Sequence, residues 1–151
     1  MDYLAKKGFT SYAFDLPGHG TRKSERVAGH GIMDYVAELE TAIEKLAPVK
    51  PILIGHSMGG LIVQKFLENN DAPAAMLIAP CPARGGSLWL PVKYFLHQPI
   101  AGTTAVLWIR TTIRSQTMCN RLFFDDISQE KLNAHLKKLG PDSSKAIRQM
   151  V

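Results

Sequence analysis

The sequence of 151 residues is poor in cysteine, holding only Cys81 and Cys119. Two thiols cannot build a disulfide framework, and no paired His/Cys spacing joins them into a zinc site. The expectation is a reducing, cytoplasmic compartment, with each cysteine a small buried apolar residue. Long apolar runs are missing as well. No stretch of about 18 uncharged apolar residues exists, which excludes a spanning helix. The best candidate, Leu88 to Ile109, is interrupted by Lys93, His97, Gln98 and Pro99. Met1 is followed by Asp2 and Lys6-Lys7 rather than by an apolar signal core. Aromatic residues are only 8% of the chain and interleave poorly with its basic ones, so no nucleic-acid partner is expected. Neither G-x-G-x-x-G nor G-x-x-x-x-G-K-[ST] is present, so nothing supports a nucleotide, and neither cofactor nor metal is expected.

What is present fits one globular domain. Apolar residues make up 46% and charged residues 21%, which excludes an intrinsically disordered chain. The net charge of +5 is unevenly spread. Residues 1–83 carry eight Lys/Arg and nine Asp/Glu, a net of −1. Residues 84–151 carry ten and four, a net of +6. This basic excess suits a solvated face or a transient contact with an anionic membrane surface.

The order of elements is informative. Asp2 to Lys7 reads as the end of a helix stopped by Gly8. Phe9 to Phe14 is β-rich and runs into the turn Asp15-Leu16-Pro17-Gly18-His19-Gly20. Val36, Leu39, Ile43 and Leu46 make one helical face, with Asp34 as N-cap and Pro48 as stop. Pro51 to Gly55 is a second strand, Gly59 to Asn70 a helix, and Ala74 to Ala79 a third strand. Alternating strands and helices predict an α/β fold with a parallel sheet, and the nearly continuous apolar strand cores predict that both faces are covered. Two prolines and two glycines between Pro80 and Gly86 mark a boundary. Beyond it the texture is helical, with Ser128 capping a helix of Leu132, Leu136 and Leu139. Gly140-Pro141 ends that helix, and Asp142 or Ser143 starts another.

Gly55-His56-Ser57-Met58-Gly59-Gly60 holds G-x-S-x-G between a buried strand and an apolar helix, the setting that a nucleophile elbow requires. The turn is tight. Gly55 and Gly59 avoid Cβ clashes with neighbouring elements, as His56 and Gly60 flank the turn. Ser57 Oγ is then held out as the candidate nucleophile. The N–H of Met58 points where an oxyanion forms, and the helix N-terminus adds positive potential. The competing account makes Ser57 a buried helix-capping serine.

These residues resemble the α/β-hydrolase superfamily, in its lysophospholipase, monoacylglycerol lipase and serine-aminopeptidase-like branch. The resemblance rests on Phe14-Asp15-Leu16-Pro17-Gly18-His19-Gly20, on Asp34-Tyr35-Val36 and on the Ser57 elbow. Leu122-Phe123-Phe124-Asp125-Asp126 and Gly140-Pro141-Asp142-Ser143-Ser144 add a likeness to the helical cap of such enzymes. It implies that residues 1–83 are an incomplete hydrolase core of three strands and residues 84–151 an incomplete cap. It also implies a serine hydrolase of ester or acyl substrates, in which His19 is a structural loop residue.

A serine needs a base, and in this fold the acid and the histidine follow the nucleophile in the chain. Only His97 and His135 follow Ser57. Asp125 or Asp126 with His135 has the right order, but these residues flank one helix start and one helix middle rather than two strand ends. His30, in a Gly-flanked loop, precedes Ser57. The expectation is therefore that the triad Asp and His lie beyond residue 151, that the second oxyanion donor lies before residue 1, and that the isolated chain is nearly inactive. Trp89, Tyr94, Phe95, Trp108, Phe123 and Phe124 suit a lipophilic acyl chain or, equally, a packed helical core. The alternative function is a non-catalytic binding module or pseudo-enzyme of the same fold. The natural substrate and the oligomeric state are not legible.

Overall fold

A computed structural model describes residues 2–81, 128–136 and 140–150. Helix α1 (Asp2–Lys6) stops where Gly8 takes a φ of 84°, a left-handed value that glycine adopts without strain. The chain then runs without regular secondary structure to the turn at Leu16–Gly20.

Phe9 to Phe14 has the composition of a strand but does not form one. A strand exists by its ladder, and among the described residues none pairs with this segment. Phe9, Tyr12 and Phe14 stay exposed. The described sheet thus has two strands rather than the three expected.

Helix α2 (Ile32–Leu46) starts one turn earlier than Asp34 suggests. Gly31 is its N-cap, and Asp34 works from inside the first turn, where its carboxylate accepts the Gly31 N–H at 2.6 Å. That placement satisfies an orphan amide and puts negative charge at the positive helix end. The expected stripe is present: Val36 and Leu39 are buried with Ile32 and Tyr35, Ile43 is half-buried, and Leu46 frays to the surface.

Strand β1 (Leu53–His56), helix α3 (Met58–Phe66) and strand β2 (Ala75–Ile78) form the βαβ unit read from the sequence. The strands are parallel, with Leu53 opposite Ala75 and His56 opposite Ile78. Helix α3 packs on both strands, and α2 packs on α3. The core joins Leu53 of β1 to Leu61, Ile62, Val63 and Phe66 of α3 and to the inner face of α2. The other sheet face is not covered among the described residues: Ile54 and Met76 are exposed. The apolar run announces a strand but does not say what lies on its second face.

Helix α4 (Gln129–Leu136) begins at Ser128, whose Oγ accepts the Lys131 N–H at 3.5 Å, and Leu132 on it is fully buried. Helix α5 (Ser144–Gln149) is capped by Ser143, as the sequence suggests. The Ser143 hydroxyl accepts the Ala146 N–H at 3.4 Å and donates to the carbonyl of His30. Gln149 accepts the Ile32 N–H at 2.7 Å, Lys145 meets Asp34 at 3.2 Å, and Ala146 joins the core cluster. The segment 140–150 is therefore seated on the start of α2. No helix among the described residues is long and apolar enough to cross a membrane.

Candidate active site

Ser57 stands between β1 and α3 with φ 53° and ψ −119°. An L-residue with a side chain seldom occupies this region, and holding it there costs about 1–3 kcal/mol. Ser57 occupies the N-cap position of α3 yet makes no side-chain cap hydrogen bond. Serine at that position normally bonds an amide of the first turn. Its hydroxyl is instead turned to the sulfur of Cys81, with Oγ and Sγ 3.6 Å apart. The capping account of Ser57 therefore fails on geometry.

The backbone around Ser57 is fixed from three sides. Its N–H donates to Ile78 O at 3.0 Å, extending the ladder from β2. Its carbonyl accepts from Gly60 N and Leu61 N, which starts the helix, and from Cys81 N at 3.0 Å. Met58 is the first helical residue, so its N–H has no acceptor one turn back.

The glycines divide differently from the expectation. A Cβ on Gly55 would lie 2.4 Å from Gly59 O and 2.8 Å from Gly60 Cα, both unyielding backbone. A Cβ on Gly60 would meet Pro80 Cβ at 2.6 Å. Among the described residues outside its own helix, a Cβ on Gly59 would meet nothing within 4 Å. Among the described residues close approach therefore requires Gly55 and Gly60, and none of them crowds Gly59. His56 is exposed, not packed into the turn.

After β2 the chain turns sharply at Ala79, whose φ is 41°. This turn lays Pro80 on Gly60 and brings Cys81 to Ser57. The amide of Gln64, one turn along α3, donates to Gly60 O at 3.3 Å and to Cys81 O at 3.5 Å. Cys81 is half-buried, not the fully buried apolar residue expected, and it faces the serine. No sequence pattern signals this neighbour, because a residue 24 positions away arrives through a turn that no glycine or Asn marks.

Two of the described histidines, His19 and His30, have partners away from Ser57. His19 Nδ1 lies 3.1 Å from Pro17 O and Nε2 3.0 Å from Asp142 Oδ1. The Asp142 hydrogen bond raises the His19 pKa, against the opposing effect of partial burial. His30 is held rather than loose: its ring stacks on Tyr35 at 5.8 Å, and Nδ1 lies 3.2 Å from Val27 O. Burial pushes the Tyr35 phenol up to about 12. His135 is exposed on α4. His97, Asp125, Asp126, Cys119 and the aromatics Trp89, Tyr94, Phe95, Trp108, Phe123 and Phe124 lie outside the described residues. A cavity of about 570 Å³ lies by the start of β1, lined by Glu40, Lys50, Leu53, Phe66 and Asp71 among others, and it does not include Ser57.

Residues 1–142 match the family model of the serine aminopeptidases, S33. The chain belongs to this α/β-hydrolase family. A non-heme chloroperoxidase of Burkholderia pyrrocinia is 32% identical over 87 residues, covering 54% of this chain and 31% of that protein. Phospholipase YtpA of Bacillus subtilis is 30% identical over 88 residues, covering 54% and 33%. The bifunctional esterase/perhydrolase DCH of Acinetobacter calcoaceticus is 31% identical over 85 residues, covering 54% and 30%. The chain spans about a third of the length of the curated relatives it matches.

Proposed function

We propose that this chain carries the nucleophile of a serine hydrolase acting on ester or acyl substrates. The observation that carries this reading is Ser57 itself: a strained residue at a helix N-cap whose hydroxyl caps nothing. Strain of this kind persists where function needs it. Ser57 Oγ attacks the acyl carbon. The Met58 N–H, which has no intrahelical acceptor, and the α3 N-terminus receive the oxyanion. His19 and His30, bonded to Asp142, Pro17 and Val27, are not the proton acceptor in this reading. The phospholipase and esterase names of two relatives favour an ester bond as the point of attack, and a lipophilic acyl chain as its cargo. The division into a core of residues 1–83 and a cap from residue 84 belongs to the same reading, as does contact of the basic cap with lipid head groups.

The test is a fluorophosphonate probe applied to the protein expressed from its natural reading frame. The expected result is label on the peptide bearing Ser57 and none after Ser57→Ala. Label that survives the substitution overturns the assignment. A second reading, a non-catalytic module of the same fold, is favoured by one contact: Ser57 Oγ meets a thiol where an imidazole would be needed. A folded protein that takes no label supports that module instead.

A further inference from the structure

We propose that Cys81 is a positioning residue for Ser57, holding its backbone and its hydroxyl from the far side of the elbow. The proposal rests on the reading of Ser57 as nucleophile. Three observations meet on Cys81. Its N–H donates to the Ser57 carbonyl at 3.0 Å, a third hydrogen bond on an oxygen that already starts α3. Its Sγ lies 3.6 Å from Ser57 Oγ, near enough for either group to donate. Its own carbonyl accepts from Gln64, which also holds Gly60 O, so the segment is tied back to the helix that Ser57 begins.

These contacts answer a physical need. The Ser57 backbone sits at φ 53°, and a non-glycine residue stays there only when its surroundings over-determine it. The ladder bond to Ile78 and the helix bonds fix the elbow from two sides. The Ala79 turn swings the chain so that Pro80 fills the space left by Gly60 and Cys81 closes the third. Ser57 makes no cap bond, so the thiol is the described partner that selects a hydroxyl orientation. A thiol is a weak hydrogen-bonding group. It can therefore hold the hydroxyl at rest and release it to a stronger acceptor when the reaction begins. A carboxylate at the same place, as a charged acceptor, would compete with that acceptor far more than a neutral thiol or hydroxyl does.

The experiment separates this proposal from the reading beneath it. Saturation kinetics of fluorophosphonate labelling give the reversible binding constant and the maximal covalent rate. These are measured for the natural protein, Cys81→Ala, Cys81→Ser and Ser57→Ala, alongside thermal midpoints. With Cys81→Ala the covalent rate should fall about two- to tenfold, the effect of losing one neutral hydrogen bond, with probe binding unchanged. Cys81→Ser should recover most of the rate by restoring a hydrogen-bonding side chain. A maximal rate unchanged by Cys81→Ala overturns the positioning role, and so does a serine variant no faster than the alanine variant. If the natural protein takes no label, or keeps it after Ser57→Ala, the nucleophile assignment fails and the positioning role falls with it.

Discussion

His19 and Asp142 stand 3.0 Å apart across 123 positions of the chain, joining the turn after the first extended segment to the residue that precedes the Ser143 cap. Both ring nitrogens of His19 face oxygen acceptors, Asp142 through Nε2 and the Pro17 carbonyl through Nδ1. Two acceptors suit an imidazolium, which has two donors and no lone pair. Accordingly the His19 pKa is raised, with the Asp142 hydrogen bond the largest cause. Asp15 also favours the charged form, while burial opposes it.

The sign of the pH dependence follows. A histidine whose folded pKa is raised stabilises the fold fully below its unfolded value of about 6.5, and that contribution is lost as pH rises through the folded value. Seating of the segment 140–150 should therefore weaken on the alkaline side of that window. Amide exchange at Ala146 and Ile147, corrected for intrinsic rates, should show protection falling with pH in the natural protein. Asp142→Asn should flatten that dependence. An unchanged profile in the asparagine variant would refute the link.

The elbow glycines should behave as opposites. Gly55→Ala drives a methyl into the Gly59 carbonyl at 2.4 Å, where only backbone could move. Overpacking of this kind costs about 1–3 kcal/mol, and more where nothing yields. Gly59→Ala places its methyl in the first turn of α3, where none of the described residues outside that helix lies within 4 Å. There it should be neutral or stabilise by up to about 1 kcal/mol, the helix-propensity gain of alanine over glycine. Urea unfolding of both variants decides the matter. Equal destabilisation by the two would show that the motif glycines share one steric role.

Ser143→Ala should remove both bonds of a fully buried hydroxyl, the cap to Ala146 and the donation to His30 O. Loss of an N-cap costs about 0.5–2 kcal/mol, and the His30 carbonyl is left without this donor. A drop of that size in the urea midpoint, restored by Ser143→Thr, is the expected outcome.

The βαβ unit was legible because its signals are local: an apolar strand, a tight turn, then a periodic helix. The place of Ser57 between strand and helix was legible for the same reason, and so was the Ser143 cap. What escaped was settled by partners far along the chain. Phe9 to Phe14 has strand composition, but a strand needs a neighbour, and composition does not name one. Asp34 looks like an N-cap because caps and first-turn acids share the same residue type, and only the helix geometry placed it three residues inside. Cys81 reads as a small apolar residue until the Ala79 turn carries it to Ser57. The same turn places a steric demand on Gly60, through Pro80, that the motif does not announce.

The strain at Ser57 predicts a trade between stability and chemistry. At φ 53° and ψ −119° the serine side chain carries a penalty that glycine does not. Ser57→Gly relieves about 1–3 kcal/mol of strain but adds about 0.5–1 kcal/mol of conformational entropy to the unfolded chain. The lost thiol contact is weak. The net should be a gain of about 1 kcal/mol in unfolding free energy, together with complete loss of fluorophosphonate labelling. Ser57→Ala keeps the Cβ and hence the strain, so it should lose labelling without that gain. The comparison of glycine with alanine isolates the backbone, because both remove the hydroxyl. If the two variants unfold at the same urea midpoint, the positive φ carries no measurable cost and Ser57 is not a strained residue.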